Sequence, residues 1–99
     1  MGFKVLEAIT FRTTGVSIAN TEYTIQASYE VRKKNNLFTV ESTAAVYASP
    51  DHTKKRIDTM HVVLKDLPAM PATHEEVMAM LYLELKKSRR FTGKTLIDN

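Results

Sequence analysis

A chain of 99 residues has room for one modest core, near the size at which buried area only narrowly offsets chain entropy, so self-association is a natural aid to stability. Its 43% hydrophobic and 25% charged residues are the composition of a folded globular domain, and the absence of cysteine excludes disulfides and thiolate metal sites. The net charge of +3 permits contact with nucleic acid or acidic surfaces but is small for a dedicated binder, and no apolar run approaches the roughly 20 residues of a membrane span.

The first residues, Met1 to Glu7, contain no signal-peptide core, and Leu6 stands where a myristoylation signal at Gly2 wants Ser or Thr. The chain therefore reads as soluble and unexported. Phe3 to Thr13 has the period of a strand, with Phe3, Val5, Ile9 and Phe11 on one face and only Glu7 out of pattern. From Tyr23 to Arg32 the alternation is complete: Tyr23, Ile25, Ala27, Tyr29 and Val31 interleave with polar residues, as in a half-buried strand. Lys33-Lys34-Asn35-Asn36 supplies a polar turn whose asparagines tolerate left-handed backbone, and Leu37 to Ala48 is again β-rich. These two segments are expected to pair as an antiparallel hairpin.

Ser49-Pro50-Asp51 ends that strand, because proline has no N–H for a ladder and aspartate bonds the following backbone. A fourth strand follows from Ile57 to Leu67, with Met60, Val62 and Leu64 on one face and Ile57 and Val63 on the other. Such a strand is expected at the centre of the sheet, or covered on both sides. Pro68 and Pro71 then bar a regular continuation, and Thr73 with Glu76 forms the Thr-x-x-Glu capping box that opens a helix from about Thr73 to Ser88. Its early acids, Glu75 and Glu76, and late bases, Lys86 and Lys87, both suit the helix dipole. Val77, Met78, Leu81, Tyr82 and Leu85 make the core stripe, while Met80 and Leu83 interrupt the polar back and mark a candidate protein interface.

The expected fold is thus α+β: one domain over 1–99, an antiparallel sheet of about four strands followed by one C-terminal helix packed on one face, with 89–99 a basic C-terminal tail. Four strands spaced ~4.8 Å apart are wider than one helix of ~10 Å, so the rest of the face must be screened by loops, the tail or another subunit.

Residues that could carry chemistry are scattered. His52, His61 and His74 lack metal-ligand spacing, and His74-Glu75-Glu76-Val77-Met78 lacks the second histidine of a zinc-protease helix. Asp51 beside His52 is explained by turn chemistry, and Glu7 and Glu41 are at most strand neighbours without a cleft. Gly93-Lys94-Thr95 resembles the end of a phosphate loop, but Ser88 stands where its first glycine belongs and a helix precedes it. No enzyme, metal or cofactor is expected. The basic residues gather at element ends: Arg32-Lys33-Lys34, Lys54-Lys55-Arg56, and a group of Lys86, Lys87, Arg89, Arg90 and Lys94. This last group is the candidate contact for a polyanion or an acidic protein partner, with Tyr47 or Phe91 available to stack on bases.

From Val46 onward the chain has Val46-Tyr47-Ala48-Ser49 ending a strand, a further strand, a short helix carrying Leu81-Tyr82-Leu83-Glu84-Leu85-Lys86, and the closing Phe91-Thr92-Gly93-Lys94-Thr95-Leu96-Ile97-Asp98. In these features it resembles small proteins encoded among the structural genes of tailed bacteriophages. The resemblance covers roughly the second half. It implies a virion or assembly component, located in the virion or host cytoplasm, whose partners are other copies of itself or other virion proteins. A small dimeric single-stranded nucleic-acid-binding module is the alternative, by analogy with sheet-plus-helix single-strand binders.

Overall fold

The computed structural model describes residues 2–11, 15–26, 28–48 and 55–98. Its elements in chain order are β1 (Phe3–Val5), β2 (Ile9–Thr10), β3 (Ser17–Ile18), β4 (Thr21–Ile25), β5 (Glu30–Lys34), β6 (Leu37–Ala48), β7 (Lys55–Leu67), α1 (His74–Lys86), a 3-10 turn at Arg89–Phe91, and β8 (Leu96–Asp98). The protein is α+β with an antiparallel sheet and one helix. The main sheet has six strands rather than four, and β2 and β3 pair separately.

β6 is the trunk of the sheet. One of its edges pairs with β7 from Phe38 to Ala48, while the other is shared by β5 and β4 in succession. The Tyr23–Arg32 segment is thus broken: Ile25 lies opposite Ala44 and Glu30 opposite Glu41, so four residues on one side face two on the other. Gln26 N–H still reaches Thr43 O at 2.9 Å, and the Ser42 hydroxyl donates to Ser28 O at 3.0 Å, which keeps the slipped chain attached. Ala27, which sequence alternation places inward, lies outside the described residues. At the other end Lys34 pairs with Leu37 across Asn35 and Asn36, whose φ of 52° and 62° are those of a type I′ turn.

The expected Phe3–Thr13 strand is also divided, at the position of Glu7. β1 pairs with β4, β2 turns away to pair with β3, and the Glu7 carboxylate leaves the ladder to accept bonds from Thr95. Gly2 is needed where β1 meets β4, since a Cβ there would stand 2.7 Å from Tyr23 O. β8 completes the sheet by pairing with β1, so the segment 89–99, read from the sequence as a tail, is over its described part a helical turn and an edge strand. The helix is therefore not the last element.

The largest correction concerns β7. Its apolar residues on both faces suggest a strand that is central or covered on both sides; the central position is not found, since among the described residues it pairs with β6 alone and forms an edge. The period-two pattern reports which faces are apolar, and it cannot report whether a strand has one neighbour or two.

α1 forms as expected. Thr73 is extended (φ −127°, ψ 155°) and its Oγ1 accepts from Glu76 N–H, while the Glu76 carboxylate reaches back to Ala72 N–H. Val77, Leu81, Tyr82 and Leu85 are buried against β4 and β7, with Phe3, Tyr23, Val40, Val46, Val62 and Phe91 in the same core. Phe91 packs edge-on against both Phe3 and Tyr23, and Phe11 from beyond β2 closes the core at this end. Helix, 3-10 turn and small hairpin together screen the sheet face that one helix could not. Among the described residues, no helix is long and apolar enough to cross a membrane.

Candidate functional site

Three hollows lie along the sheet. The first, of about 460 Å³, is created by the break between β4 and β5 and is lined by Ser28, Tyr29, Glu30, Glu41, Ser42, Thr43 and His61. Glu30 and Glu41 are directly opposite, and Arg32 reaches both, at 3.3 and 3.6 Å. One guanidinium offsets one of the two carboxylate charges, and the Ser42 hydroxyl donates to Ser28 O. Among the described residues, no three His, Asp or Glu side chains come together to hold a metal ion.

The second and third hollows form one continuous groove beside the free edge of β7. Toward the end of α1 a hollow of about 300 Å³ is lined by the β7 segment Met60, His61, Val62 and Val63 and by Glu84, Leu85, Lys87 and Ser88. Further on, one of about 580 Å³ is lined by Val63, Leu64, Lys65 and Leu67 and by Met80, Leu83, Glu84 and Lys87. Helix and strand therefore run antiparallel. Both interface residues suggested by the sequence line this groove. They differ in role: Met80 is half-buried and packs against the core, whereas Leu83 is 60% exposed. An edge strand with unpaired backbone groups next to an apolar helix flank is the arrangement that accepts an added strand.

Three of the five residues of the basic group, Lys86, Lys87 and Arg90, have separate carboxylate partners. Lys86 Nζ meets Asp98 Oδ1 at 2.6 Å and sits 5.6 Å above the Phe3 ring. Arg90 lies 3.5 Å from Asp58 Oδ2 and 5.4 Å from the Phe11 ring centre, at a site where both partners are largely covered. Lys87 pairs loosely with Glu84 at 3.8 Å across one turn, and Lys94 N–H caps the 3-10 turn at Phe91 O. Arg89 is exposed. Phe91 is in the core and offers no stacking platform, while Tyr47 is half-buried on the face away from α1.

The remaining sequence candidates separate as well. His74 stacks on Tyr29 at the start of α1, and His61 lies exposed on β7 opposite Thr43. Asp51 and His52 lie outside the described residues. Glu7 is not beside Glu41: its carboxylate accepts the Thr95 N–H at 2.6 Å and the Thr95 hydroxyl at 2.8 Å. Those two bonds hold it below the usual carboxylate range. Gly93, with φ of 73°, turns the chain into β8, which accounts for the Gly-Lys-Thr run without a phosphate. Burial pushes the Tyr23 phenol up, opposed by the Thr21 hydroxyl that donates to it and by the charge of Arg90. The groove signal missed from the sequence was the edge position of β7; Lys65 and Pro68, typical of exposed edges, were its faint indications. No protein-family model, curated protein or solved structure matches the chain.

Proposed function

We propose that this protein is a non-enzymatic structural or assembly protein that acts through protein–protein contacts at the β7 edge and the flank of α1. The observation that carries the reading is the groove joining Leu83 and Met80 to the side of β7 that no strand among the described residues pairs with. Apolar side chains on a helix flank and open backbone groups on a strand are each costly to leave wet, and one partner strand relieves both. The resemblance of the second half to tailed-phage structural proteins agrees with a role in a virion. The single-stranded nucleic-acid reading has less support, because Lys86 and Arg90 are held by Asp98 and Asp58 and Phe91 is buried.

Photo-crosslinking tests this. Leu83 is replaced by p-benzoylphenylalanine in the chain produced in its own source, with Thr24, exposed in the middle of the other sheet face, as the control position. A discrete crosslinked protein from position 83, and none from position 24, supports the proposal. No discrete product from 83 overturns it.

A further inference from the structure

On the side of the main sheet away from β5 and β7 the last strand is β8, which among the described residues pairs with β1 alone. β7 is 13 residues long and sends Val62 and Leu64 into the core, so it opens only with the core. β8 is three residues long and brings Leu96 alone to the margin of the core, while Ile97 and Asp98 are exposed. Burial does little to hold it. Carboxylates hold it instead, one at each end. Where the strand begins, Glu7 accepts the Thr95 N–H at 2.6 Å and the Thr95 hydroxyl at 2.8 Å, beside the main-chain bond from Leu6 N–H to Thr95 O at 3.2 Å. Where it ends, Asp98, opposite Phe3, accepts from Lys86 Nζ at 2.6 Å, which ties the strand to α1. The positive φ of Gly93 gives the segment a joint just ahead of both anchors.

We propose that β8 is a carboxylate-closed latch over the edge of β1: it opens as one unit while the rest of the sheet stays folded, and neutralising Glu7 or Asp98 opens it. Opening frees the main-chain groups of Lys4 and Leu6 that β8 occupies in the closed fold. An edge that the closed fold withholds is then able to pair. The latch goes beyond the assembly reading and does not rest on what occupies β7.

The charges around the latch favour closure only while its carboxylates are ionised. Glu7 faces the two Thr95 donors and the charge of Lys94. Asp98 faces Lys86, whose ammonium lies 5.6 Å above the Phe3 ring. Lys4, opposite Ile97, projects from the other sheet face, where its neighbour on β4 is Glu22. Protonating Glu7 weakens both Thr95 bonds, and protonating Asp98 leaves Lys86 without its counter-charge. Because the Thr95 bonds hold Glu7 below the usual carboxylate range, its part in closure is complete above that range and is lost as pH falls through the depressed value. Acid is therefore the signal that opens the latch.

Native-state amide hydrogen exchange, read by NMR on the whole chain, tests this. Leu6 N–H reports on the Thr95 end of the latch. The alternation of an antiparallel ladder makes Lys4 and Ile97 the next bonded pair, so Ile97 N–H reports nearer the Asp98 end. Ala44 and Val46 of β6, flanked by β4 and β7, report on the core. At pH 7 Leu6 and Ile97 should be at least about tenfold less protected than Ala44 and Val46, and low urea should leave their exchange unchanged while it speeds that of the core pair. Each anchor should act on the far end of the strand: Asp98→Asn should speed Leu6, and Glu7→Gln should speed Ile97, each at least about threefold, with Glu30→Gln on β5 changing neither. Lowering the pH to 3 should reduce protection at Leu6 and Ile97 together while Ala44 and Val46 remain protected. Leu6 and Ile97 sharing the protection and urea dependence of Ala44 would overturn the proposal, because β8 would then open only with the core. An Asp98→Asn effect that stops short of Leu6 would overturn it as well, since that is fraying of a strand end and not the opening of a unit.

Discussion

The Tyr82 hydroxyl of α1 accepts a hydrogen bond from the backbone N–H of Ile25, the last residue of β4, at 2.9 Å. Just beyond Ile25 the chain slips two residues against β6, so the helix secures a buried backbone donor at the point where the ladder is interrupted. Tyr82→Phe keeps the ring and removes the acceptor. Leaving that donor unpaired should cost about 1–3 kcal/mol of stability, read as a lower urea midpoint with little change in slope.

Leu81 and Leu83 are two positions apart and lie on different surfaces. Leu81 is fully buried, so Leu81→Ala should cost roughly 2–5 kcal/mol, whereas Leu83→Ala in dilute, monomeric protein should stay within about 0.5 kcal/mol. Equal costs would show that the helix wheel has been turned.

Much of this arrangement is legible in the sequence, for identifiable reasons. The capping box at Thr73 and Glu76 and the stripe Val77, Leu81, Tyr82 and Leu85 define the helix and its buried face, because both depend on spacing along a single element. The β5–β6 turn is readable for the same reason, since Asn35 and Asn36 accept positive φ. What depends on contacts between distant segments is not. Glu7 breaks the first strand because Thr95, 88 residues away, captures its carboxylate. β8 is recognisable only by its pairing with β1, and three residues are too few to carry a period. The groove falls in this class: Met80 and Leu83 stand out on the helix, but nothing local says that β7 is the edge beside them.

Acid sensitivity should follow from the lock between Glu7 and Thr95. The folded state depresses the Glu7 pKa through the two bonds from Thr95, so the unfolded chain takes up this proton first as pH falls. The contribution is complete above the ordinary carboxylate pKa and is lost as pH drops through the depressed one. Urea midpoints measured from pH 7 to pH 3 should fall more steeply for the natural chain than for Glu7→Gln. Parallel curves would mean that the lock does not contribute to stability.

The last test concerns the basic residues after α1. Phosphate binding releases counterions, so a nucleic-acid reader loses affinity steeply with salt, in proportion to the number of phosphates it neutralises. Here Lys86 and Arg90 already have carboxylate partners at 2.6 and 3.5 Å, and a phosphate would have to displace Asp98 or Asp58 to engage them. Lys87 shares Glu84, Lys94 is close enough to Glu7 for its charge to lower the pKa of that carboxyl, and Arg89 is exposed. Cations divided among separate carboxylates do not make a binding stripe. A labelled single-stranded oligonucleotide should therefore show no saturable binding at 50 mM salt, and Arg89→Ala with Lys94→Ala should leave the solution mass unchanged. Binding that weakens about tenfold or more between 50 and 200 mM salt, and whose slope flattens in that double variant, would instead establish phosphate contact and displace the assembly reading.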